Sequence, residues 1–283
     1  MSSYIRIRVA QWLSTHLPPS VAFRCAEQLA DVRCLSASRD REAVRGNLSL
    51  ILGEPVAPCA PLVRDVFRNF GRYLVEFFNF HHVQHPRVTT QGYEHLEAAI
   101  RQQRGTILLT GHLGNWEAGA VLVRRMGFPM AVVALSHENP RVDRLFVAQR
   151  QRCGIEVIPI GQRATQHSLR SLKRRHMLGV LGDRDFTGHG VEVSFCGQLV
   201  TLPSGPAVLS LRSGAPIVPT FVIREGPWSF RLCFEPPIWP AASSRLREAV
   251  PHMVQAYAQV IERFVRRFPS QWIMFRPLGA THG

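Results

Sequence analysis

The sequence predicts an α/β protein in which a central, mostly parallel or mixed sheet is flanked by helices and preceded by a helical N-terminal region. Two observations support this prediction. Between residues 105 and 182, short apolar runs alternate with longer amphipathic segments, a pattern typical of a largely parallel sheet. Residues 1 to about 90 instead carry apolar residues at mixed spacings of three and four, which is typical of helices.

Each segment of this pattern predicts one element, taken here in chain order. Helices are expected at 41–52 and 62–80, separated by the proline-rich turn GEPVAPCAP. Strands are expected at TILLT, MAVVAL, IEVIPI and MLGVLG, with the intervening helices ending near Met126, Cys153 and Arg175. A helix and a strand are expected within 201–223, another strand at 230–234 and a closing helix at about 243–268. We therefore distinguish an N-terminal helical region, 1–90, from an α/β core, 91–283, within one continuous domain.

The chain is strongly basic, which restricts its partners. Its 283 residues include 34 Lys and Arg against 20 Asp and Glu, a formal charge of +14. Nucleic acid, an anionic lipid surface or an acidic protein would each suit this charge. No basic stripe interleaved with base-stacking aromatics and no zinc-finger or helix-turn-helix spacing is found, so nucleic acid is excluded. The six cysteines form no CxxC pair, which predicts reduced thiols and no cysteine metal site.

The N-terminal segment is apolar but interrupted by charges and prolines. Arg6, Arg8 and the Pro18-Pro19 pair argue against a signal peptide. The longest apolar window, 201–223, contains four prolines, so no transmembrane helix is predicted. The apolar residues around Arg6 and Arg8 could form an interfacial anchor or an ordinary core-packing helix, and the sequence favours neither.

The segment GHLGNWE, residues 111–117, contains the sharpest candidate for chemistry. It directly follows the TILLT strand, and active groups in α/β sheets collect beyond the carboxyl ends of strands. If Asn115 caps the next helix, Glu117 lies in its first turn and within plausible reach of His112. A carboxylate on one imidazole nitrogen makes the other a better base toward a hydroxyl. A serine hydrolase would need G-x-S-x-G, and a zinc enzyme would need a third ligand and usually H-E-x-x-H, so no metal site is predicted.

GHLGNWE resembles the H-x4-D/E block of the glycerolipid acyltransferase superfamily. The closest resemblance is to its bacterial late lipid A acyltransferases, the lauroyl and myristoyl transferases, a branch that includes the phosphatidylinositol mannoside acyltransferases. Five further blocks resemble that branch in the same order: VRGNL (44–48), HENPRVDRLF (137–146), LGDRDF (181–186), LPSGPAVLSLRSGAPIVPTF (202–221) and PSQWIMFRP (269–277).

The resemblance implies an acyltransferase that forms no acyl-enzyme intermediate. His112 would be the general base and Glu117 its charge partner. Arg184 would stabilise the oxyanion or bind a phosphate or sugar head group, while Asp183 and Asp185 would orient Arg184 or cap its loop. The acyl donor would be acyl carrier protein or acyl-CoA, with no other cofactor. The acceptor would be a hydroxyl of a membrane glycolipid or a lipid A-like molecule, with a phosphatidylinositol mannoside-like lipid as an alternative. The protein would lie peripherally or monotopically on the anionic cytoplasmic face of the bacterial inner membrane.

Other residues of these blocks are candidates for substrate binding. Asn115, Asn139, Ser204 and Gly205 lie in them, and Ser204 is also a natural N-cap for a helix whose backbone donors could meet phosphate or pantetheine oxygen. The loop around His189 is expected to be a surface turn. The aromatic residues Phe77, Phe78 and Phe80 could line an acyl-chain groove of the N-terminal region or belong to an ordinary core.

The chain departs from the lipid A enzymes at two positions. Leu135 stands where many of them have an arginine. Asp183-Arg184-Asp185 stands where they usually have D-Q-D, and this pattern is closer to that of the mannoside enzymes. These differences favour a glycolipid acceptor other than lipid A. A lipid-binding protein of the same fold without catalysis is the alternative from another class, although retention of both His112 and Glu117 argues against it.

Overall fold

The computed structural model describes residues 3–240 and 246–278, and it begins with four helices. These are α1 (Ser3–His16), α2 (Pro19–Ser36), α3 (Ser38–Leu52) and α4 (Pro61–Asn79). Proline starts α2 and α4, where its missing N–H leaves no helical hydrogen bond unmade. Gly53 ends α3 in the left-handed conformation that glycine adopts without strain. The helical N-terminal region is thus confirmed.

A seven-stranded sheet forms the centre of the molecule. Its strands are β1 (Arg87–Gln91), β2 (Thr106–Thr110), β3 (Met130–Ala134), β4 (Ile155–Pro159), β5 (Met177–Leu181), β8 (Ile217–Gly226) and β9 (Ser229–Phe234), while β6 (Val191–Phe195) and β7 (Gln198–Leu202) form a separate hairpin. The order is β1-β9-β8-β2-β5-β3-β4, and neighbours are parallel except β8 and β9. The prediction of a mostly parallel, mixed sheet is confirmed.

The remaining helices cover the sheet. They are α5 (Tyr93–Ile100), α6 (Trp116–Arg125), α7 (Pro140–Arg152), α8 (Ala164–Lys173), α9 (Gly205–Ser213) and α10 (Leu246–Arg267), followed by a short 3-10 helix at Pro269–Gln271. The predicted strands and helices of the core are all present. The first predicted residues of the closing helix, 243–245, lie outside the described residues.

Four elements were missed, namely β1, α5, β6 and β7. All five residues of β1 are exposed, so this edge strand has no buried face that would produce alternation. The short helix α5 follows it directly. The hairpin of β6 and β7 turns at Cys196 and Gly197, both with positive φ, as a two-residue hairpin turn requires. The Cys-Gly pair is a weaker turn signal than the usual Asn-Gly.

The parallel arrangement decides which loops meet. Strands β2 and β5 are neighbours, and Thr110 at the end of β2 lies opposite Leu181 at the end of β5. The residues that follow these two strands therefore emerge side by side at one edge. On the other side of β2, strand β8 continues to Gly226, beyond the residues that pair with β2. This extension of β8 lies beside the same loops.

None of the helices in the described part of the chain is both long and apolar enough to span a membrane.

Candidate active site

His112 and Asp183 meet where β2 and β5 end. The Nδ1 atom of His112 lies 2.8 Å from Oδ1 of Asp183, and the His112 backbone N–H donates to Oδ2 at 2.7 Å. An ionised carboxylate only accepts hydrogen bonds, so Nδ1 carries the imidazole proton and Nε2 is the basic nitrogen. No described residue hydrogen-bonds to Nε2. A buried carboxylate therefore orients the His112 imidazole, whose Nε2 could take a proton from another group.

Asp183 stays ionised although its side chain is fully buried. Burial acts to raise the pKa of this carboxyl, but the charge of His112 and hydrogen bonds from His112 and Trp272 outweigh it and lower the pKa. The indole Nε1 of Trp272 donates to Oδ2 at 3.1 Å. Asp183 thus accepts three hydrogen bonds, which hold its carboxylate in a single orientation.

The loop that carries His112 is fixed by its backbone. The carbonyl oxygen of His112 accepts from Ile273, and Gly114 donates to the carbonyl oxygen of Gln271 at 2.9 Å. Gly114 has a φ of 65°, and a Cβ there would collide with the carbonyl oxygen of Val222 in β8. This close approach requires glycine. The closing segment PSQW thus supports the site through both its backbone and its tryptophan.

Glu117 forms a buried ion pair with Arg150 of α7. Arg150 donates to Oε1 through its second terminal nitrogen at 2.6 Å and to Oε2 through Nε at 3.1 Å. The side chains are 6% and 12% exposed, for Glu117 and Arg150 respectively. Burial acts to lower the pKa of the Arg150 guanidinium, but the charge and hydrogen bonds of Glu117 raise it.

The carboxylate that contacts His112 is therefore Asp183, whereas the sequence analysis expected Glu117. Asn115 caps α6 as predicted, since its Oδ1 accepts from Ala118 N–H at 2.9 Å, and Glu117 does lie in the first turn. All hydrogen bonds of the Glu117 carboxylate nevertheless go to Arg150. The sequence missed the contact with Asp183 because the two residues are 71 positions apart and meet only when β2 and β5 pair.

Arg184 has no ion-pair partner among the described residues. Its guanidinium lies over the Phe186 ring at 4.5 Å. Burial lowers its pKa, and the nearby charge of Arg276 lowers it further. Asp183 is committed to His112, and Asp185 accepts from Thr187 and from the N–H of Gly190. The two acids were expected to orient Arg184 or to cap its loop. Asp185 caps the loop, and neither acid forms an ion pair with Arg184.

Ser204 and Gly205 begin α9, and Asn139 begins α7. The Ser204 side chain accepts no capping hydrogen bond, and its hydroxyl donates to the carbonyl oxygen of His189 at 2.7 Å. Ser204 therefore occupies the N-cap position of α9 as predicted, but its side chain does not cap the helix and instead holds the loop around His189 against α9. Gly205 is exposed at the helix start. Asn139 caps α7 by accepting from Arg141 N–H at 2.9 Å. Substrate contacts of these residues remain predictions.

The aromatic residues at the end of α4 are buried. Phe77 stacks on Phe146 of α7 at a centroid distance of 4.8 Å, and Phe78 and Phe80 are each 1% exposed. A cavity of about 10 Å³ lies beside Phe77, Phe80 and Glu117, which is space for about one water molecule. An acyl chain would have to displace this packing to enter here, so the acyl groove remains a prediction.

A histidine contacted by a buried carboxylate, at the carboxyl edge of a parallel sheet, is an arrangement that can abstract a proton from a hydroxyl. Comparison with known proteins identifies the family. A family model described as bacterial lipid A biosynthesis acyltransferase matches residues 4–278. The chain belongs to this family and is an acyltransferase.

Three relatives illustrate the similarity. The chain is 30% identical over 280 residues to a phosphatidylinositol mannoside acyltransferase of Mycobacterium tuberculosis, covering 95% of this chain and 86% of that protein. It is 30% identical over 258 residues to the protein of the same name from Mycolicibacterium smegmatis, covering 88% and 82%. A lipid A biosynthesis acyltransferase of Haemophilus influenzae is 29% identical over 194 residues, covering 67% and 58%. The resemblance recognised in the sequence is confirmed.

Proposed function

We propose that the protein transfers a fatty acyl group from the thioester of acyl carrier protein to a hydroxyl of a membrane glycolipid, with acyl-CoA as the second candidate donor. The observation that carries this proposal is the His112–Asp183 pair, in which Nδ1 is bound at 2.8 Å and Nε2 is open to a substrate hydroxyl. The His112 side chain is 17% exposed, so a substrate can approach it from one side.

The geometry supports direct transfer without an acyl-enzyme. Nε2 of His112 takes the proton of the acceptor hydroxyl while the hydroxyl oxygen attacks the thioester carbonyl carbon. The carbonyl oxygen becomes negatively charged, and when the tetrahedral intermediate collapses the carbon–sulfur bond breaks. Nε2 then returns the proton to the thiolate, which leaves a thiol and an ester. Asp183 stabilises the imidazolium during the interval.

Arg184 supplies positive charge for an anionic part of the substrates. It has no carboxylate partner in the described part of the chain, and the charge of Arg276 acts on it, so an anion that bound both guanidinium groups would relieve their repulsion. A phosphate in the acceptor head group meets this requirement. Such a phosphate is present in both kinds of acceptor, so it is Leu135 and the similarity to mannoside enzymes over 95% of the chain that favour a phosphoinositol glycolipid over lipid A.

The N-terminal helices support attachment to a membrane surface. Exposed apolar side chains follow one face of α2, and these are Val21, Leu29, Val32 and Leu35. In α1, Trp12 is 55% exposed and lies beside the exposed Arg8. Apolar side chains rimmed by arginine suit the interface of an anionic bilayer. We propose that this face rests on the cytoplasmic side of the inner membrane, where acyl carrier protein is present.

A direct assay tests the proposed function. The purified protein and its His112→Ala variant are incubated with radiolabelled acyl-carrier-protein or acyl-CoA and with lipid A precursor or phosphatidylinositol mannoside vesicles. Label is expected in the mannoside lipid with the unmutated protein alone. If neither protein transfers label to any lipid while both bind the vesicles, the alternative of a non-catalytic lipid-binding protein replaces the proposal.

Salt should weaken the reaction with acyl carrier protein. The formal charge of +14 attracts an acidic carrier, and raising salt from about 0.01 to 0.1 M shortens the Debye length from about 30 to about 10 Å. We expect kcat/KM for the carrier-protein donor to fall about tenfold over this range. An uncharged N-acetylcysteamine thioester is the control and should change little. Equal salt dependence of the two donors would rule out electrostatic docking.

The rate should also depend on the protonation of His112. The lowered pKa of Asp183 keeps this carboxylate ionised from about pH 5 to 9, so its charge does not change over this range. As pH rises, loss of the imidazolium proton produces the active base and kcat increases to a plateau. A profile measured in stopped assays that stays flat over this range would contradict the assignment of His112 as base.

A further inference from the structure

A second carboxylate–guanidinium pair is buried directly behind the loop that carries His112. Glu76 of α4 accepts from Nε of Arg224 in β8 at 2.7 Å, and from its second terminal nitrogen at 2.6 Å. The Glu76 side chain is 0% exposed and that of Arg224 is 5% exposed. The third nitrogen of Arg224 donates to Asn69 Oδ1 at 3.0 Å, so each nitrogen of the guanidinium has an acceptor.

The same carboxylate also binds the catalytic loop. Asn115 Nδ2 donates to Glu76 Oε2 at 2.6 Å, while Asn115 Oδ1 accepts the N–H of Ala118. One fully buried side chain thus caps α6 and ties its start to α4. Asn115 lies between His112 and Glu117 in the chain, so its position sets where the loop leaves β2 and where α6 begins.

Arg224 holds the loop from the strand side through its backbone. Its N–H donates to Gln271 Oε1 at 2.9 Å, and its carbonyl oxygen accepts from Gln271 Nε2 at 3.0 Å. The carbonyl oxygen of Gln271 in turn accepts from Gly114, and the carbonyl oxygen of Val222 accepts from Asn115 at 3.0 Å. The pair, the strand and the closing segment therefore converge on two consecutive loop residues.

Stability alone does not explain a charged pair at this place. Taking both ions out of water costs about as much as their attraction returns, and apolar residues of similar volume often serve as well. The arrangement does provide an acceptor at a fixed position for Asn115, which an apolar pair would not. Fixed hydrogen bonds outside the reacting groups are what keep a catalytic side chain in its productive geometry.

We propose that Glu76 and Arg224 are positioning residues that act through Asn115 to hold His112 and the start of α6 in the geometry required for turnover. The inference rests on the proposed function for its kinetic consequence, but the positioning can be measured without activity. A misplacement of about 1 Å at a reacting group can cost about a hundredfold in rate, so weakening this contact should reduce kcat with little effect on KM.

The first test variant is Asn115→Ser. Serine caps helices as well as asparagine does, so Ala118 keeps its acceptor and α6 its start. The longer amide Nδ2 donor to Glu76 is lost, while Glu76 and Arg224 remain paired. The second variant, Glu76→Leu with Arg224→Met, removes both charges together and so leaves no buried unpaired ion. The control is Arg68→Met, which breaks the ion pair of Arg68 with Asp31. This pair also joins α4 to a neighbouring helix, but it lies away from the loop.

Two readouts decide the proposal, on variants with a native circular dichroism spectrum. Amide hydrogen exchange of the peptide covering 111–118 should be at least about tenfold faster in both test variants and unchanged in the control. Their kcat should fall about tenfold to a hundredfold, with KM within about twofold. Unchanged exchange, or faster exchange with unchanged kcat, would overturn the proposal. Absence of transfer by the unmutated protein would refute the proposed function instead, and the exchange measurement would still decide whether the pair holds the loop.

Discussion

Replacing Asp183 with Asn should lower kcat by about three to four orders of magnitude, because an amide imposes the wrong tautomer on a catalytic histidine. The amide oxygen can keep the hydrogen bonds that Oδ2 accepts from the His112 backbone and Trp272. The amide nitrogen then faces His112 Nδ1, which must become an acceptor. The imidazole proton moves to Nε2, and the nitrogen that should take the substrate proton is already protonated.

The same experiment separates Asp183 from Glu117. Glu117→Gln leaves both His112 contacts with Asp183 in place, so kcat of the folded variant should fall about tenfold or less, well below the effect of losing an oriented base. Asp185→Asn is the matched control, since Asp185 orders the loop to Gly190 without touching His112. Steady-state kinetics with saturating donor and acceptor provide the comparison. A loss with Glu117→Gln equal to that with Asp183→Asn would instead support Glu117 as the charge partner.

Replacing Arg150 with Met should lower the free energy of unfolding by about 3–5 kcal/mol, the usual cost of leaving one member of a buried pair uncompensated. Glu117 would then lie in the interior, 6% exposed, without the guanidinium that donates to both its oxygens. Arg150 also joins α7 to α6, so its loss should loosen the packing of the helix that follows the catalytic loop. Urea unfolding measures the change.

The double variant Arg150→Met with Glu117→Leu tests the reason for this loss. With both charges removed, most of the stability should return, since an apolar pair avoids the desolvation of either ion. Arg266→Met is the control, because its pair with Glu262 is 43% and 25% exposed and should contribute less than about 1 kcal/mol. If the double variant is no more stable than Arg150→Met, the loss arises from packing of the arginine stem. The kcat of the double variant shows directly whether Glu117 has a role beyond its pair with Arg150.

Asp183 and Glu117 thus have different partners, since Asp183 contacts His112 and Glu117 pairs with Arg150. The motif contains both His112 and Glu117, but the fold points the glutamate toward α7 and places Asp183 on the imidazole. A residue at the start of a helix can face the helix's own neighbours, whereas a residue beyond a parallel strand faces the loop of the next strand. This difference explains why spacing within the motif predicted the wrong partner.

Most elements of the fold were predictable from local patterns. The strands β2 and β5 are short apolar runs that are largely buried on both faces, and α4 and α10 are long amphipathic helices with apolar residues at spacings of three and four. The edge strand β1 is exposed along its whole length and has no such periodicity. The cap by Asn115 followed from its residue type and place, whereas Ser204 has helical φ and ψ and accepts no capping hydrogen bond, which no local pattern records.

The α/β class, the family and the position of His112 after a strand could be read from local patterns, because each depends on residues close together in the chain. The pairing of charges depends instead on contacts between distant parts of the chain. The contacts of His112 with Asp183, of Glu117 with Arg150 and of Glu76 with Arg224 join residues 71, 33 and 148 positions apart. Such partners are chosen by strand order and helix packing, and a buried charge pairs with whichever opposite charge the fold brings within hydrogen-bonding distance.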